Sequence, residues 1–498
     1  MTESDLSQTI AAIDLGSNSF HMVIGRAVGG EISLLDRLRE GVRIASGLQD
    51  DGSLDEETAA RALSCLERFG QRIREVPASR VRAVGTNTFR RARLMGEFMS
   101  QARKALGVKI EVLPGPEEAR LIYLGVAHGL ADDSGTRLVV DIGGGSTECV
   151  LGRRFEAFDM HSLEMGCVSY TRRFFSKGRL TEKAFESAEL AANLELEPIK
   201  RRFRETGWNE CAGSSGTINA IANILQQQWA EDGITAAGLK KLRKAMIRAG
   251  TTEALALNGL QSERAAVLAG GLAVLTSTFQ SLRIKRMRPS KFALREGLLY
   301  DLVGRIRHED VRDRTIESVS RRHLLDAEQA GRVERTALNL FDQVAKPWSL
   351  DREMGRELLG WAARVHEVGL SIAYSGYHRH GAYLLANSNL PGFSRDEQSV
   401  LAVLVRTHRR KLNRELFGEL PPFHRELAFR LSCLLRLAVR LNRGRSSRGL
   451  APVQLLAQAE SLEVVFPEGW LDAHPLTRAD VDEEVALQGQ AGVTLVAR

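Results

Sequence analysis

Short apolar runs separated by glycine turns fill the start of the chain. "TIAAID" (9–14), "SFHMVIGRA" (19–27) and "EISLLDRLRE" (31–40) read as three strands joined by tight turns. Beyond them, 3.6-residue periodicity predicts helices over "DEETAARALSCLERFGQRIREV" (55–76), "RRARLMGEFMSQARKALG" (90–107) and "GPEEARLIYLGVAHGL" (115–130). Strands "RVRAVGT" (80–86) and "KIEVLP" (109–114) alternate with these helices, so the order is βββαβαβα.

The same opening returns at 136–166, where "TRLVVDIGGGSTECVLGRRFEAFDMHSLEMG" again reads as strand, glycine turn, strand, turn, strand. Helices follow, then a short strand in "NECAGSSGT" (209–217). In both openings an aspartate, Asp14 or Asp141, ends the first strand at a glycine-bearing turn. This is an internal duplication, and it predicts two like α/β domains facing each other across a cleft.

The duplication stops near "ALREGLLYDLVGRI" (293–306), and the charge-dense "RHEDVRDRTIESVSRRH" (307–323) marks a boundary. From Leu324 the pattern is nearly all helical. The strand-like runs "AESLEVVFPEGW" and "GVTLVAR" near the end suggest a small α/β cap. The expected domains are 1–122, 123–307, 308–450 and 451–498.

Composition narrows the class. A chain of 498 residues, 43% hydrophobic and 26% charged, is neither disordered nor repetitive and is long enough for several cores. Its net charge of +7 comes mostly from arginine, whose forked guanidinium suits phosphate oxygens, so a polyanionic partner is expected. Five scattered cysteines without a C-x-x-C pair fit reduced thiols. "MTESDLSQT" has no signal-peptide pattern, and the apolar stretch "AAVLAGGLAVL" is shorter than the roughly 18 to 20 residues of a membrane span. The expectation is a cytoplasmic protein.

Three loops carry the candidate chemistry. Gly143, Gly144 and Gly145, followed by Ser146, allow close backbone approach and positive φ angles, with N–H groups free to converge on phosphate. Ser17, Asn18 and Ser19 offer side-chain donors after Asp14. Gly213, Ser214, Ser215, Gly216 and Thr217 lie between a strand and a helix, where N-terminal amides add to the site. Taken alone, the first turn also reads as a hairpin and the last as a helix cap.

Acids beside phosphate need a cation between them, which makes Asp14, Asp141 and Glu148 candidate ligands for Mg²⁺. Hydrolysis also needs a carboxylate to deprotonate water, and "PGPEEAR" supplies Glu117 and Glu118 in a first helical turn, between which position alone does not choose. "GTNTFRRAR" sets Arg90 and Arg91 at a helix start where one could grip phosphate.

With those motifs in hand, the chain resembles the exopolyphosphatase and guanosine pentaphosphate phosphohydrolase family of the actin, Hsp70 and sugar kinase superfamily. The likeness is carried by "AAIDLGSNSFHMVIGRAVGG", "PGPEEARLIYLGVAHG", "VVDIGGGSTE", "MGCVSYTRRFF", "GSSGT", "ALREGLLYDL", "VHEVGL" and "HRHGAYLLANSNLPGF". It implies duplicated actin-like (ribonuclease H-like) domains, a helical HD-like domain and the small C-terminal domain. It further implies Glu118 as base, Asp141 and Glu148 as the acids that organise Mg²⁺ and water, and Arg90 as a phosphate contact. The glycine loops become the phosphate cradle. The implied reaction removes the terminal phosphate of inorganic polyphosphate processively; the alternative substrate is guanosine pentaphosphate (pppGpp). A homodimer is implied as well.

Several expectations stay open at this point. "GGGSTE" and "SGYHRHGAYLL" favour polyphosphate, whereas "EGWLDAHPL" resembles the pentaphosphate branch. His366 and Glu367 resemble the His-Asp step of HD phosphohydrolases with Glu in place of Asp, and His378, His380 and His408 are candidate ligands of a second metal. The basic stretches "RTHRRKLNR" and "RLNRGRSSRG" fit guidance of a polyanion, including peripheral association with the inner face of a membrane. They lack the interleaved aromatics of a single-stranded nucleic-acid site, so no specific nucleic acid is expected. The rivals are an ATP-using kinase or chaperone-like ATPase and a polyanion or alarmone sensor that binds pppGpp or ppGpp without cutting.

Overall fold

The computed structural model describes residues 9–28, 31–49, 51–91, 96–130, 135–306, 310–446, 452–458 and 461–498. Residues 1–8, the 29–30 turn, the boundaries read at 307–308 and 450–451, and residues 447–449 of the basic stretch lie outside the described residues. The chain separates into two compact units, Met1–Glu309 and Asp310–Arg498.

In the first unit, β1 (Thr9–Leu15), β2 (Phe20–Val28) and β3 (Glu31–Glu40) form an antiparallel meander. Helix α1 (Glu56–Ile73), β4 (Val81–Gly85), α2 (Asn87–Arg91), α3 (Gly96–Leu106), β5 (Ile110–Val112) and α4 (Gly115–His128) follow. The sheet order is β3-β2-β1-β4-β5, with β4 and β5 parallel to β1.

The second half repeats the plan. Strands β6 (Thr136–Ile142), β7 (Thr147–Arg153) and β8 (Glu156–Leu163) form the meander, and α5 (Cys167–Phe174), α6 (Glu182–Thr206), β9 (Glu210–Ser214), α7 (Gly216–Trp229), β10 (Ile234–Thr235), α8 (Ala236–Ala249), α9 (Ser262–Leu282), β11 (Arg286–Pro289) and α10 (Leu294–Ile306) complete it. Read from β8, the order is β8-β7-β6-β9-β11-β10, so its first five strands match the first sheet. Two short strands, β10 and β11, were not legible among the helices. Helix α9 is long and apolar enough to cross a membrane by length and composition, yet most of it is buried in this unit's core.

The central strands are apolar on both faces because both are covered. On β1, Ala11, Ile13 and Leu15 pack outward with α1 and α3, whereas Ile10 and Ala12 face α4 and α10. On β6, Leu138, Val140 and Ile142 pack with α6, α7 and α9, and Val139 turns the other way to the same α4–α10 layer. Strand alternation therefore puts Asp14 and Asp141 on the inner faces, toward α4 and α10. Those two helices touch closely because a Cβ on Gly297 would stand 1.8 Å from the Leu121 carbonyl oxygen, and one on Gly125 2.1 Å from that of Ala293.

A buried ion network fixes the same pair. Asp301 on α10 accepts from Arg82 on β4 (2.5 Å), from Arg120 on α4 and from Arg305 (3.0 Å), and Arg120 also holds Glu117 through two 2.8 Å bonds.

The second unit is helical: α11 (Val311–Arg322), α12 (Ala327–Val344), α13 (Arg352–Val365), α14 (Tyr377–Asn387), α15 (Arg395–Thr407), α16 (Glu415–Gly418), α17 (Pro422–Leu441), α18 (Trp470–Ala473) and α19 (Pro475–Gln490). Strands β12 (Gln454–Gln458), β13 (Ser461–Val465) and β14 (Thr494–Ala497) make a small sheet in the order β12-β13-β14. Leu455, Leu462, Val464 and Leu495 of this sheet share the helices' core, which also takes Val481 of α19. Arg436, fully buried, donates to Glu484 and to the carbonyls of Thr407 and Arg410, tying α17 to α19.

Candidate active site

The two Asp-bearing strands end at one cavity of about 320 Å³ in the first unit. Its walls include Asp14, Ser17, Asn18 and Ser19 from the first half, and Asp141, Gly143, Gly144 and Ser146 from the second. Glu118 enters from α4, and Ser215, Gly216 and Thr217 from the start of α7. Three loops far apart in sequence thus meet where the duplication suggested. Both simpler readings hold as well, since residues 16–19 join the β1–β2 hairpin and Ser215 caps α7 by accepting from Ile218 N (3.3 Å).

The glycine loop works by closeness rather than by left-handed backbone. Gly143, Gly144 and Gly145 are not among the residues with positive φ, which corrects the conformational expectation. What they permit is approach: a Cβ on Gly144 would lie 2.9 Å from Ser17 Cβ, and one on Gly145 2.3 Å from Asn87 Oδ1. Amides at the start of α5 hold this loop, with Cys167 N and Val168 N donating to the Gly143 and Gly144 carbonyls at 2.9 Å. Positive φ occurs instead at Ser215, with φ 95° and ψ 161°, a strained conformation for a non-glycine residue beside the cavity.

The acids are buried and crowded. Burial raises Asp14 to about 7, with Glu118 and Asp141 adding to the rise and Arg295 opposing it. Burial likewise raises Asp141 to about 6, against the Ser214 hydroxyl, which donates to its Oδ2. Glu148 lies opposite Asp141 across the β6–β7 ladder and accepts from Ser162 Oγ at 2.7 Å. Burial and the neighbouring Glu118 and Asp141 push its carboxyl well above the usual range.

Of the two glutamates in α4's first turn, Glu118 lines the cavity and Glu117 is committed to Arg120. Arg90 donates to Glu118 at 2.5 Å and to the Leu113 carbonyl at 3.1 Å, so it grips the carboxylate. It lies in the last turn of α2, not at a helix start. Arg90, Gly145, Glu148, Gly213 and Ser214 stand behind the cavity lining. Gly213 packs against Met287 and Ile218, and Ser214 orients Asp141. The side chain of Arg91 lies outside the described residues.

Cationic side chains line the same cavity, and sequence reasoning missed them. Arg39 from β3, Arg264 from α9, Lys291 from the loop after β11, Arg295 from α10 and His21 from β2 also line the cavity. A Cβ on Gly216 would meet the Arg264 guanidinium at 2.0 Å, which places that group over the α7 N-terminus. These side chains come from segments far apart in sequence, so only the fold assembles them. Arginines facing N–H-rich loops and buried acids are suited to phosphate oxygens, with Glu118 suited to a water proton.

Residues 23–306 match the Ppx/GppA phosphatase family, and residues 311–485 match Ppx/GppA phosphatase, domain III. The chain belongs to the Ppx/GppA phosphatase family. A crystal structure of an exopolyphosphatase from Cytophaga hutchinsonii is 26% identical, covering 60% of this phosphatase and 98% of that chain with a TM-score of 0.54. The Aquifex aeolicus PPX-GPPA enzyme is 27% identical, covering 59% and 99%, with a TM-score of 0.50. The two sheet-based halves of this phosphatase are therefore actin-like.

In its helical unit the His366 and His408 rings lie 5.5 Å apart, each sharing Nδ1 with a backbone carbonyl three residues earlier at 2.7 Å. His378 is 6.3 Å from His408, and Glu367 is paired with Arg445 at 2.5 Å. Among the described residues, no group of three or more His, Cys, Asp or Glu is arranged to hold a metal there or elsewhere.

Proposed function

We propose that this phosphatase removes the terminal phosphate of inorganic polyphosphate, with Glu118 as the base. One observation carries the reading: Asp14, Asp141 and Glu118 converge on a single cavity that Arg39, Arg264 and Arg295 also line. The likeness to the Cytophaga hutchinsonii exopolyphosphatase supports polyphosphate as the substrate class.

The donor set fits Mg²⁺. Asp14 Oδ1 is buried without a hydrogen-bond partner, and the crowded carboxylates repel one another unless protonated or bridged by a cation. Mg²⁺ binds through one or two carboxylates together with water and substrate phosphate, so a protein-only cluster is not required. Asp14 and Asp141 would hold it, with Glu148 behind them, and bound there it neutralises phosphate charge.

The chain's own residues account for the remaining steps. Loop amides at 144–146 and 215–217, with the arginines, orient the terminal phosphoryl group. Arg90 keeps the Glu118 carboxylate aimed into the cavity. Glu118 accepts a proton from water as the water oxygen forms its bond to phosphorus in line with the anhydride. The P–O bond opposite breaks, and the shortened chain leaves with the electron pair.

The test is orthophosphate release, with Mg²⁺, from long polyphosphate and from guanosine pentaphosphate in parallel. Faster release from polyphosphate, with starting-length chains persisting beside degraded ones, supports processive action. Preference for the nucleotide would overturn the substrate reading, and binding without release would overturn the hydrolytic one.

A further inference from the structure

The two halves use one ladder position differently. Asp141 is paired with Glu148 across β6–β7, and Asp14 is paired with His21 across β1–β2, each seven residues on (148 − 141 = 7; 21 − 14 = 7). Where the second half sets a carboxylate, the first sets an imidazole in the cavity wall.

The hydrogen bond to that ring fixes its chemistry. Arg295 approaches His21 Nδ1 with Nη1 at 2.8 Å. A guanidinium only donates, so Nδ1 must be the bare, accepting nitrogen. The ring is then neutral and carries its proton on Nε2. The surroundings agree, since burial first, and then the Arg295, Arg39 and Arg264 guanidiniums, disfavour a cationic ring. A bare nitrogen at Nε2 among guanidiniums would be one more acceptor. A protonated one is a donor in a wall already built of donors.

We propose that His21 is a substrate-binding donor: its Nε2–H binds a non-bridging oxygen of the phosphate chain, while Nδ1 seats the Arg295 guanidinium beside it. The inference rests on the cavity being the phosphate-chain site. It divides the duplicated ladder position by role, with Glu148 a carboxylate behind the lining and His21 a phosphate-binding donor in it. Lysine or arginine there would bring a long charged chain to the seat of Arg295, whereas a neutral imidazole adds a donor without adding like charge.

Two substitutions separate the ring's nitrogens. His21→Asn keeps an acceptor near Nδ1 and lacks the distal donor; His21→Gln restores an amide donor near Nε2. Inorganic tripolyphosphate binding to the full chain is measured by calorimetry, alongside kcat and KM for polyphosphate. His21→Asn is expected to bind tripolyphosphate about tenfold or more weakly, the loss of one hydrogen bond to a charged group, and His21→Gln to recover most of that loss. KM should move more than kcat.

Ring-nitrogen NMR of the ¹⁵N-histidine-labelled wild type, assigned with His21→Asn, reads the tautomer without any substrate. Protonation at Nε2 is expected, and protonation at Nδ1 would overturn the proposal even if neither variant folds. Wild-type binding matched by His21→Asn, or His21→Gln as weak as His21→Asn, would also overturn it. No tripolyphosphate binding by the wild type would remove the phosphate-chain reading and this inference with it. Binding without polyphosphate cleavage, with the expected variant pattern, would remove the substrate reading alone.

Discussion

Arg90 Nη1 lies 2.5 Å from Glu118 Oε2 and, from the same nitrogen, 3.1 Å from the Leu113 carbonyl. The arginine therefore joins the end of α2 to the start of α4 and fixes the direction of the carboxylate. A residue that positions the base has a different kinetic signature from one that grips substrate. Arg90→Ala is expected to lower kcat by about ten- to a hundredfold, the range for losing a hydrogen bond to a charged group, with KM nearly unchanged. Steady-state kinetics on polyphosphate decide, and a dominant rise in KM would return Arg90 to a phosphate-contacting role.

How much of this was legible follows from the same residues. Asp14 and Asp141 stood out because each ends an apolar strand at a glycine turn, a local pattern that the duplication repeats. Position near the cleft was legible for Arg90, but the direction of its side chain was not, because that depends on Leu113 and Glu118 two elements away. Position in the helix alone does not choose between Glu117 and Glu118; the resemblance pointed to Glu118, and the structure adds that Arg120, which also donates to Asp301, takes up Glu117. Arg39 and Arg264 carry no motif, and Arg295 lies in "ALREGLLYDL", which marks the family without showing that its arginine enters the cavity. Strands β10 and β11 are two and four residues long, too short for alternation to register.

The α4–α10 crossing positions Glu118 and Arg295 together, and it has no room for a methyl group at Gly297. The obstructing atom is the Leu121 carbonyl oxygen, which belongs to backbone and cannot rotate away. Gly297→Ala is expected to destabilise the first unit by about 1–3 kcal/mol, as overpacking does. Denaturant unfolding measures this, and an unchanged midpoint would show that the helices separate freely.

Asp301 carries a pH signature. Burial alone would raise its carboxyl, but the Arg120, Arg82 and Arg305 guanidiniums outweigh burial and hold it well below the ordinary range. A depressed folded value stabilises above the unfolded value of about 3.9, and that stability is lost as pH falls through and below it. Asp301→Ala leaves arginines buried without their partner and is expected to cost about 3–5 kcal/mol near neutrality. Asp301→Asn should also be destabilised, with the gap to wild type narrowing below about pH 4. A gap constant with pH would contradict the linkage.

Asp14 and Asp141 carry the opposite sign. Their folded values of about 7 and about 6 exceed the unfolded ones, so the folded state binds more protons between roughly pH 4 and 7. Without metal, their contribution to stability therefore falls as pH rises through that window. Mg²⁺ competes for the same oxygens, so its stabilising effect should grow over the same interval. Thermal midpoints with a chelator and with Mg²⁺ test this, and Asp14→Asn should flatten the chelated slope. An Mg²⁺ effect independent of pH would count against these carboxylates as its ligands.

The most direct measurement is orthophosphate release from long polyphosphate by wild type and Glu118→Gln, at matched thermal midpoints and with tripolyphosphate binding measured on both. A general base removed from the site should lower kcat by about 10²–10⁴ while folding and binding persist. Near-wild-type turnover in Glu118→Gln would contradict the assignment of Glu118 as the group that activates water.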